Sequence, residues 1–251
     1  MSLLHLDAIT VKRGDCPVVD SVSFDIDPGE CVGLIGPNGA GKTTLMRAAL
    51  GLVRHCGKSS LSALPLADRA RACSWMPQSR EIAWPVSVET LVALGRIPHL
   101  PKGQSLGSED ANAVNGALAA MGLTDISNRI ATELSGGEQA RVLIARALAQ
   151  QTPLLMADEP IASLDPAGQI ATMRVFRSLA DQGRAVLTSL HDLGLAARHC
   201  DRLLLLSGGQ LVADGTPREV LTDGNMRRVF GVSAFFEDTD AGPVFQPLEV
   251  I

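Results

Sequence analysis

The stretch ECVGLIGPNGAGKTTL, Glu30 to Leu45, decides the fold. An apolar run of strand length enters a glycine-rich turn, and a helical pattern leaves it. Within it, Gly36-Pro37-Asn38-Gly39-Ala40-Gly41-Lys42-Thr43 fits G-x-x-x-x-G-K-[ST] at every fixed position, with Thr44 next. Such glycines let the backbone wrap closely around anionic oxygens, and the helix start adds free N–H groups and its dipole. The N–H groups of Gly39, Gly41, Lys42 and Thr43 are expected to face a β-phosphate. Lys42 supplies a point charge, and the Thr43 hydroxyl suits Mg²⁺. The strand–loop–helix order predicts an α/β core.

Upstream, LLHLDAITV and SVSFDI alternate, which predicts an N-terminal antiparallel β part ending at the Pro28-Gly29 turn. The helix after the loop is expected over about 41–52. From about Arg80 to Gln150 the pattern turns mainly helical, with the punctuated segment IPHLPKGQSLGSED inside it. Ser108 is a candidate cap there, with Glu109 and Asp110 in the first turn. This reads as a helical subdomain inserted in the α/β core. The alternation then resumes: LLMADE a strand, PAGQIATMRVFRSLADQG a helix, AVLTSL a strand, DLGLAARHC a helix, DRLLLLSGG with QLVADG a strand pair. From about Val232 the tail reads as irregular.

Composition narrows the function classes. Hydrophobic residues form 46% of the 251, so one large domain with a substantial core is affordable. A net charge of −5 argues against a general nucleic-acid surface. No apolar run approaches the ~20 residues that span a bilayer. Cys16, Cys31, Cys56, Cys73 and Cys200 are odd in number and lack a C-x-x-C pair. They read as reduced thiols of an intracellular protein, with a metal site as the sharper alternative.

Polar residues at the ends of apolar runs carry the remaining chemistry. Asp158 and Glu159 close LLMADE, where one carboxylate can hold Mg²⁺ and the next can orient or deprotonate water. The bland reading is a charged strand end entering a loop. Gln78 follows SWMP and His191 follows AVLTSL. A Gln amide can contact Mg²⁺ or water, and a His can bond a γ-phosphate. LSGGEQ, Leu134 to Gln139, opens a second long helical pattern and so forms a second candidate anion cradle.

GPNGAGKTT, MPQ, LSGGEQ, LLMADEP, SLD (Ser163 to Asp165) and SLHD (Ser189 to Asp192), in that order, resemble the ATP-binding subunits of ABC transporters over most of the chain. LSGGEQ with its flanking helix is the most specific of these. The resemblance implies a single ABC-type ATPase domain over 1–251, with a P-loop NTPase core and a helical subdomain at about 80–150. It implies ATP and Mg²⁺ as cofactors, with Mg²⁺ near Thr43, Gln78 and Asp158. Glu159, Gln78 and His191 would be catalytic. Two chains would face each other head to tail, closed by ATP, with Ser135, Gly136 and Gly137 of one covering the γ-phosphate held by the other. This accounts for two cradles in one chain.

The family usually stacks an aromatic on adenine near the first strand. The matching region here is TVKRGDCPVVD, without an aromatic, in a chain with no Tyr. Arg13 either stacks its guanidinium on the base or is a solvated loop charge. PLADRARACSWMPQ and WPVSVETLVALGRIPHL, with Arg96, Pro98 and His99, resemble the branch serving iron–siderophore, haem and cobalamin importers. That implies two permease subunits at the cytoplasmic face of the inner membrane, fed by an extracytoplasmic solute-binding protein. An importer of zinc, manganese or another solute, a soluble ABC ATPase of iron–sulfur assembly or translation, and an inactive regulatory module are the alternatives.

Overall fold

The computed structural model describes residues 2–79, 81–101, 103–240 and 242–251. Arg80, where the helical stretch is expected to begin, and Lys102 within it lie outside the described residues. The chain opens with β1 (Leu4–Arg13) and β2 (Cys16–Ile26), an antiparallel pair. The core strand β3 (Cys31–Ile35) leads through the glycine loop into α1 (Lys42–Ala49). That helix stops short of the expected Leu52, because the chain turns at Leu50 and Gly51 and runs on to β4 (Cys56–Ser59), which pairs with β1. Next come α2 (Leu66–Ala72) and β5 (Cys73–Met76).

Between β5 and the next strand the described elements are helical: α3 (Val88–Ala93), a 3₁₀ turn (Leu94–His99), α4 (Ser108–Ala120), two further short 3₁₀ turns and α5 (Gly136–Ala149). Ser108 is not the cap expected from sequence but the first helical residue. Asp110 reaches back instead, its carboxylate accepting from Gly107 N–H at 3.0 Å. A carboxylate in a first turn satisfies one of the helix's orphan donors just as well.

The α/β alternation then resumes with β6 (Leu154–Asp158), α6 (Pro166–Asp181), β7 (Ala185–Ser189), α7 (Leu193–His199) and the β8 (Arg202–Ser207), β9 (Gln210–Gly215) pair. The tail, read as irregular, is an antiparallel hairpin of β10 (Val232–Thr239) and β11 (Gly242–Val250). Its two prolines and acidic residues hide the alternation. Phe236 and Phe245 pair across it edge to face, and Phe245 is buried.

The main sheet has the order β5-β6-β7-β3-β8-β9, parallel except for β9. Its central strands are buried on both faces, which is why they read as unbroken apolar runs. Successive side chains alternate between two cores. Cys31 and Ile35 of β3, Leu155 and Ala157 of β6, and Leu203 and Leu205 of β8 join the core beneath α3 to α7. Val32 and Leu34, Leu154 and Met156, and Leu204 and Leu206 join the core under α1 and the antiparallel sheet. Phe176 of α6 is fully buried in the first core. Burial of such a side chain contributes about 1.5–3 kcal/mol. Because β6, β7 and β3 are neighbours, the loops leaving their carboxyl ends converge, where open α/β sheets bind ligands.

Candidate nucleotide site

The glycine loop follows β3 directly, and its shape is forced by its own surroundings. Gly36 has φ +148°, and a Cβ there would stand 2.1 Å from Leu206 O. Gly41 has φ +102°, and a Cβ there would stand 2.6 Å from Val18 O. No other residue fits such backbone angles and approaches. The loop borders a cleft of about 750 Å³ lined by Asn38 to Thr44, Arg13, Val18, Gln78, Glu159 and His191. Lys42 is buried, and its Nζ donates to Gly36 O at 2.7 Å and Pro37 O at 3.2 Å. Burial pulls its ammonium below the usual lysine range, against the raising effect of Glu159 and then Asp158.

Glu159 lines the cleft, and Asp158, its neighbour in sequence, is buried behind it. Asp158 is fully buried; its Oδ1 accepts from Ser189 Oγ at 2.7 Å, while its Oδ2 has no hydrogen-bond partner among the described residues. Ser189 Oγ also accepts from Glu159 N–H at 2.8 Å. Glu159 sits at φ +50°, a left-handed conformation that costs a non-glycine residue about 1–3 kcal/mol and gathers at functional sites. Its Oε2 accepts from Gln78 Nε2 at 2.9 Å, and its Oε1 lies 2.7 Å from His191 Nε2. The carboxylate is the acceptor there, so His191 carries a proton on Nε2. Burial pushes the Glu159 carboxyl up. The His191 bond and charge, the Gln78 amide and Lys42 outweigh it and hold the group below the ordinary glutamate range.

Gln78, Glu159 and His191 thus meet directly, beside Lys42, Thr43 and Thr44. Arg13 lines the same cleft as an exposed side chain, next to Val18. Two residues here escaped the sequence reading. Ser189 lies inside the SLHD stretch, and its only signal is its place at the end of an apolar strand. Val18 carries no signal of its own.

Ser135, Gly136 and Gly137 lie elsewhere, at the start of α5. Ser135 and Gly137 border a second cleft, of about 760 Å³, lined also by Glu138, Arg141, Ser163, Leu164 and Asp165. Two helix starts meet there. Ser135 caps α5, and Asp165 caps α6 by accepting from Gly168 N–H at 2.8 Å. A Cβ at Gly136 would meet nothing within 4 Å, and one at Gly137 nothing closer than 3.7 Å. Glu138 closes a capping box with Ser135. Its carboxyl is held below the ordinary range, first by the Ser135 hydroxyl and then by the Ser135 N–H.

Arg96 and His99 serve the fold rather than a metal. Arg96 Nη1 donates to Ala149 O at 2.9 Å and its Nε to Asp110 Oδ1 at 2.8 Å, while His99 Nε2 lies 2.7 Å from Gln150 O. Both bind orphan carbonyls at the end of α5, where donors and positive charge are favoured.

Comparison with known proteins agrees with this geometry. A family model described as ABC transporter matches residues 19–162. The chain is 40% identical over 247 residues to the hemin import ATP-binding protein HmuV of Pseudomonas entomophila (strain L48), covering 94% of this chain and 95% of that one. An ABC transporter described as of the metal-chelate type, solved in an inward-facing conformation, superposes with a TM-score of 0.85 at 26% identity, covering 99% of this chain and 98% of that one. The ATP-binding cassette MJ0796, solved as a dimer in a post-hydrolysis state with ADP and Pi, superposes with a TM-score of 0.75 at 25% identity, covering 86% and 99%. The chain therefore belongs to the ABC transporter family.

Proposed function

We propose that this chain is the ATP-hydrolysing subunit of an importer for an iron complex such as haem or a siderophore, or for cobalamin. The carrying observation is Glu159, held by Gln78 and His191 in one cleft with Lys42 and Thr43. The hemin import role of the 40% identical relative supports the cargo class. ATP lies along the glycine loop, with Lys42 on its terminal phosphates and Arg13 beside the base. Glu159, kept ionised by its neighbours, orients or deprotonates the attacking water. His191 bonds the γ-phosphate and Gln78 positions the water.

The residues fit Mg²⁺. Asp158 Oδ2 is a buried acceptor lacking a partner among the described residues, next in sequence to Glu159, which lines the cleft with Thr43. Thr43, Gln78 and Asp158 would hold the ion, which when bound neutralises charge on the phosphate oxygens.

Two copies close around ATP, with Ser135, Gly136 and Gly137 of one facing the phosphate on the loop of the other. The open space at Gly136 supports this, as does the dimeric state of a structural neighbour. The helices between β5 and β6 act as a subdomain that passes closure to two permease subunits. Among the described residues no helix is long and apolar enough to cross a membrane. The import role of the 40% identical relative supports a subunit held peripherally at the cytoplasmic face. Solute reaches the permease from an external binding protein and never touches this chain.

The Glu159→Gln variant tests the chemistry. Hydrolysis is expected to fall at least about 100-fold, while ATP still drives dimerisation in sedimentation. Normal turnover would remove Glu159 as the base. Affinity capture from gently solubilised native membranes tests the assembly. A polytopic permease is expected; recovery with soluble assembly proteins or ribosomes alone would overturn import.

A further inference from the structure

The turn that opens α5 already holds an anion, and the anion is the chain's own. Glu138 Oε2 accepts from Ser135 N–H at 2.9 Å and from the Ser135 hydroxyl at 2.7 Å, and Glu138 N–H donates to Ser135 Oγ at 3.3 Å. A serine hydroxyl has one proton to give. While Glu138 takes it, no phosphate can. The other carboxylate oxygen faces Arg129, 3.8 Å away.

We propose that Glu138 is an internal competitor for the partner's phosphate and sets the ATP concentration at which two chains close. This rests on the reading that Ser135, Gly136 and Gly137 meet ATP in trans. Closure then brings a γ-phosphate to donors that a carboxylate occupies. Two anions cannot share one hydroxyl proton, and their charges repel. Glu138 must yield Ser135 and lean on Arg129. The exchange raises the ATP threshold for closure and hastens reopening. A neutral Gln at this position keeps the capping box, since Gln accepts as Glu does. It removes only the charge.

The experiment uses the full chain carrying Glu159→Gln, so that hydrolysis does not drain the dimer. Sedimentation velocity follows dimer fraction against ATP concentration, with and without Glu138→Gln, at low and high salt. The half-point is expected to fall about tenfold in Glu138→Gln at low salt, as removal of a close like charge predicts. The gap should narrow at high salt, because screening weakens the repulsion. Equal half-points with equal salt dependence, in a variant whose melting temperature is unchanged, would overturn the proposal and leave Glu138 a helix cap. If the parent with Glu138 intact binds ATP yet stays monomeric at every concentration, the trans reading itself fails. That outcome is separate from the first.

Discussion

The two glycine turns of this chain look alike in sequence and are built for different reasons. In the phosphate loop the glycines answer to the protein. Gly36 and Gly41 have positive φ and approach Leu206 O and Val18 O so closely that any side chain would collide with backbone. In the turn that opens α5 the glycines are not required by the chain's own backbone. Gly136 and Gly137 adopt helical geometry, with open space at Gly136 and only ordinary contact, at 3.7 Å or more, at Gly137 where a Cβ would go, although glycine weakens a helix. The half-site proposed within the chain and the half-site proposed for a second copy differ in this way.

Alanine at one glycine of each turn would break the comparison most sharply. Gly36→Ala is expected to cost about 3 kcal/mol or more, since its Cβ meets a backbone oxygen that cannot step aside. Thermal melting checks this, and nucleotide binding should be lost with the fold. Gly136→Ala should melt at the same temperature or a few degrees higher, because Ala is the better helix former. It should bind ATP as a monomer, yet lose on the order of 100-fold in hydrolysis, because the added Cβ stands between the incoming phosphate and the backbone N–H groups and so forfeits a donor to transition-state charge. A Gly136→Ala variant with normal turnover would erase the distinction between the turns.

A smaller effect sharpens the inner half-site. Glu159 has its carboxyl depressed, with His191 the strongest opponent of the upward pull of burial. A depressed folded-state value means that ionised Glu159 contributes stability above the unfolded glutamate's value. That contribution is lost as pH falls through the lower folded value. The acid limb of hydrolysis should therefore lie below the ordinary glutamate range. His191→Gln should move it upward, besides lowering the rate. A pH–rate profile of both forms would show the shift, and an unmoved limb would mean that His191 does not set the charge state of Glu159.

Much of this was legible because the motifs are local. The glycine loop, the β6 carboxylates and the α5 start each depend on residues a few positions apart. Strand, turn and helix signals there agree with one another. The hairpin of β10 and β11 was not legible, since its apolar positions are diluted by prolines and charges and its order comes from packing against α7. Ser108 was misassigned as a cap because Ser and Asp both satisfy helix donors, and only geometry chooses between them. Ser189 was invisible as a bridge between Asp158 and the Glu159 N–H because that role needs β6 and β7 side by side.

The α/β core, the order of the motifs and the identity of the residues with chemistry to offer follow from the residues in order, because spacing and residue type act along the chain. What those residues do to one another comes from packing. Gln78 and Glu159 lie 81 positions apart and meet at 2.9 Å, and Glu159 and His191 lie 32 apart and meet at 2.7 Å. The order of strands in the sheet brings them together, and that order arises from burying two faces of one sheet at once. The same packing shows that the fold itself requires glycine at 36 and 41 and does not at 136 and 137.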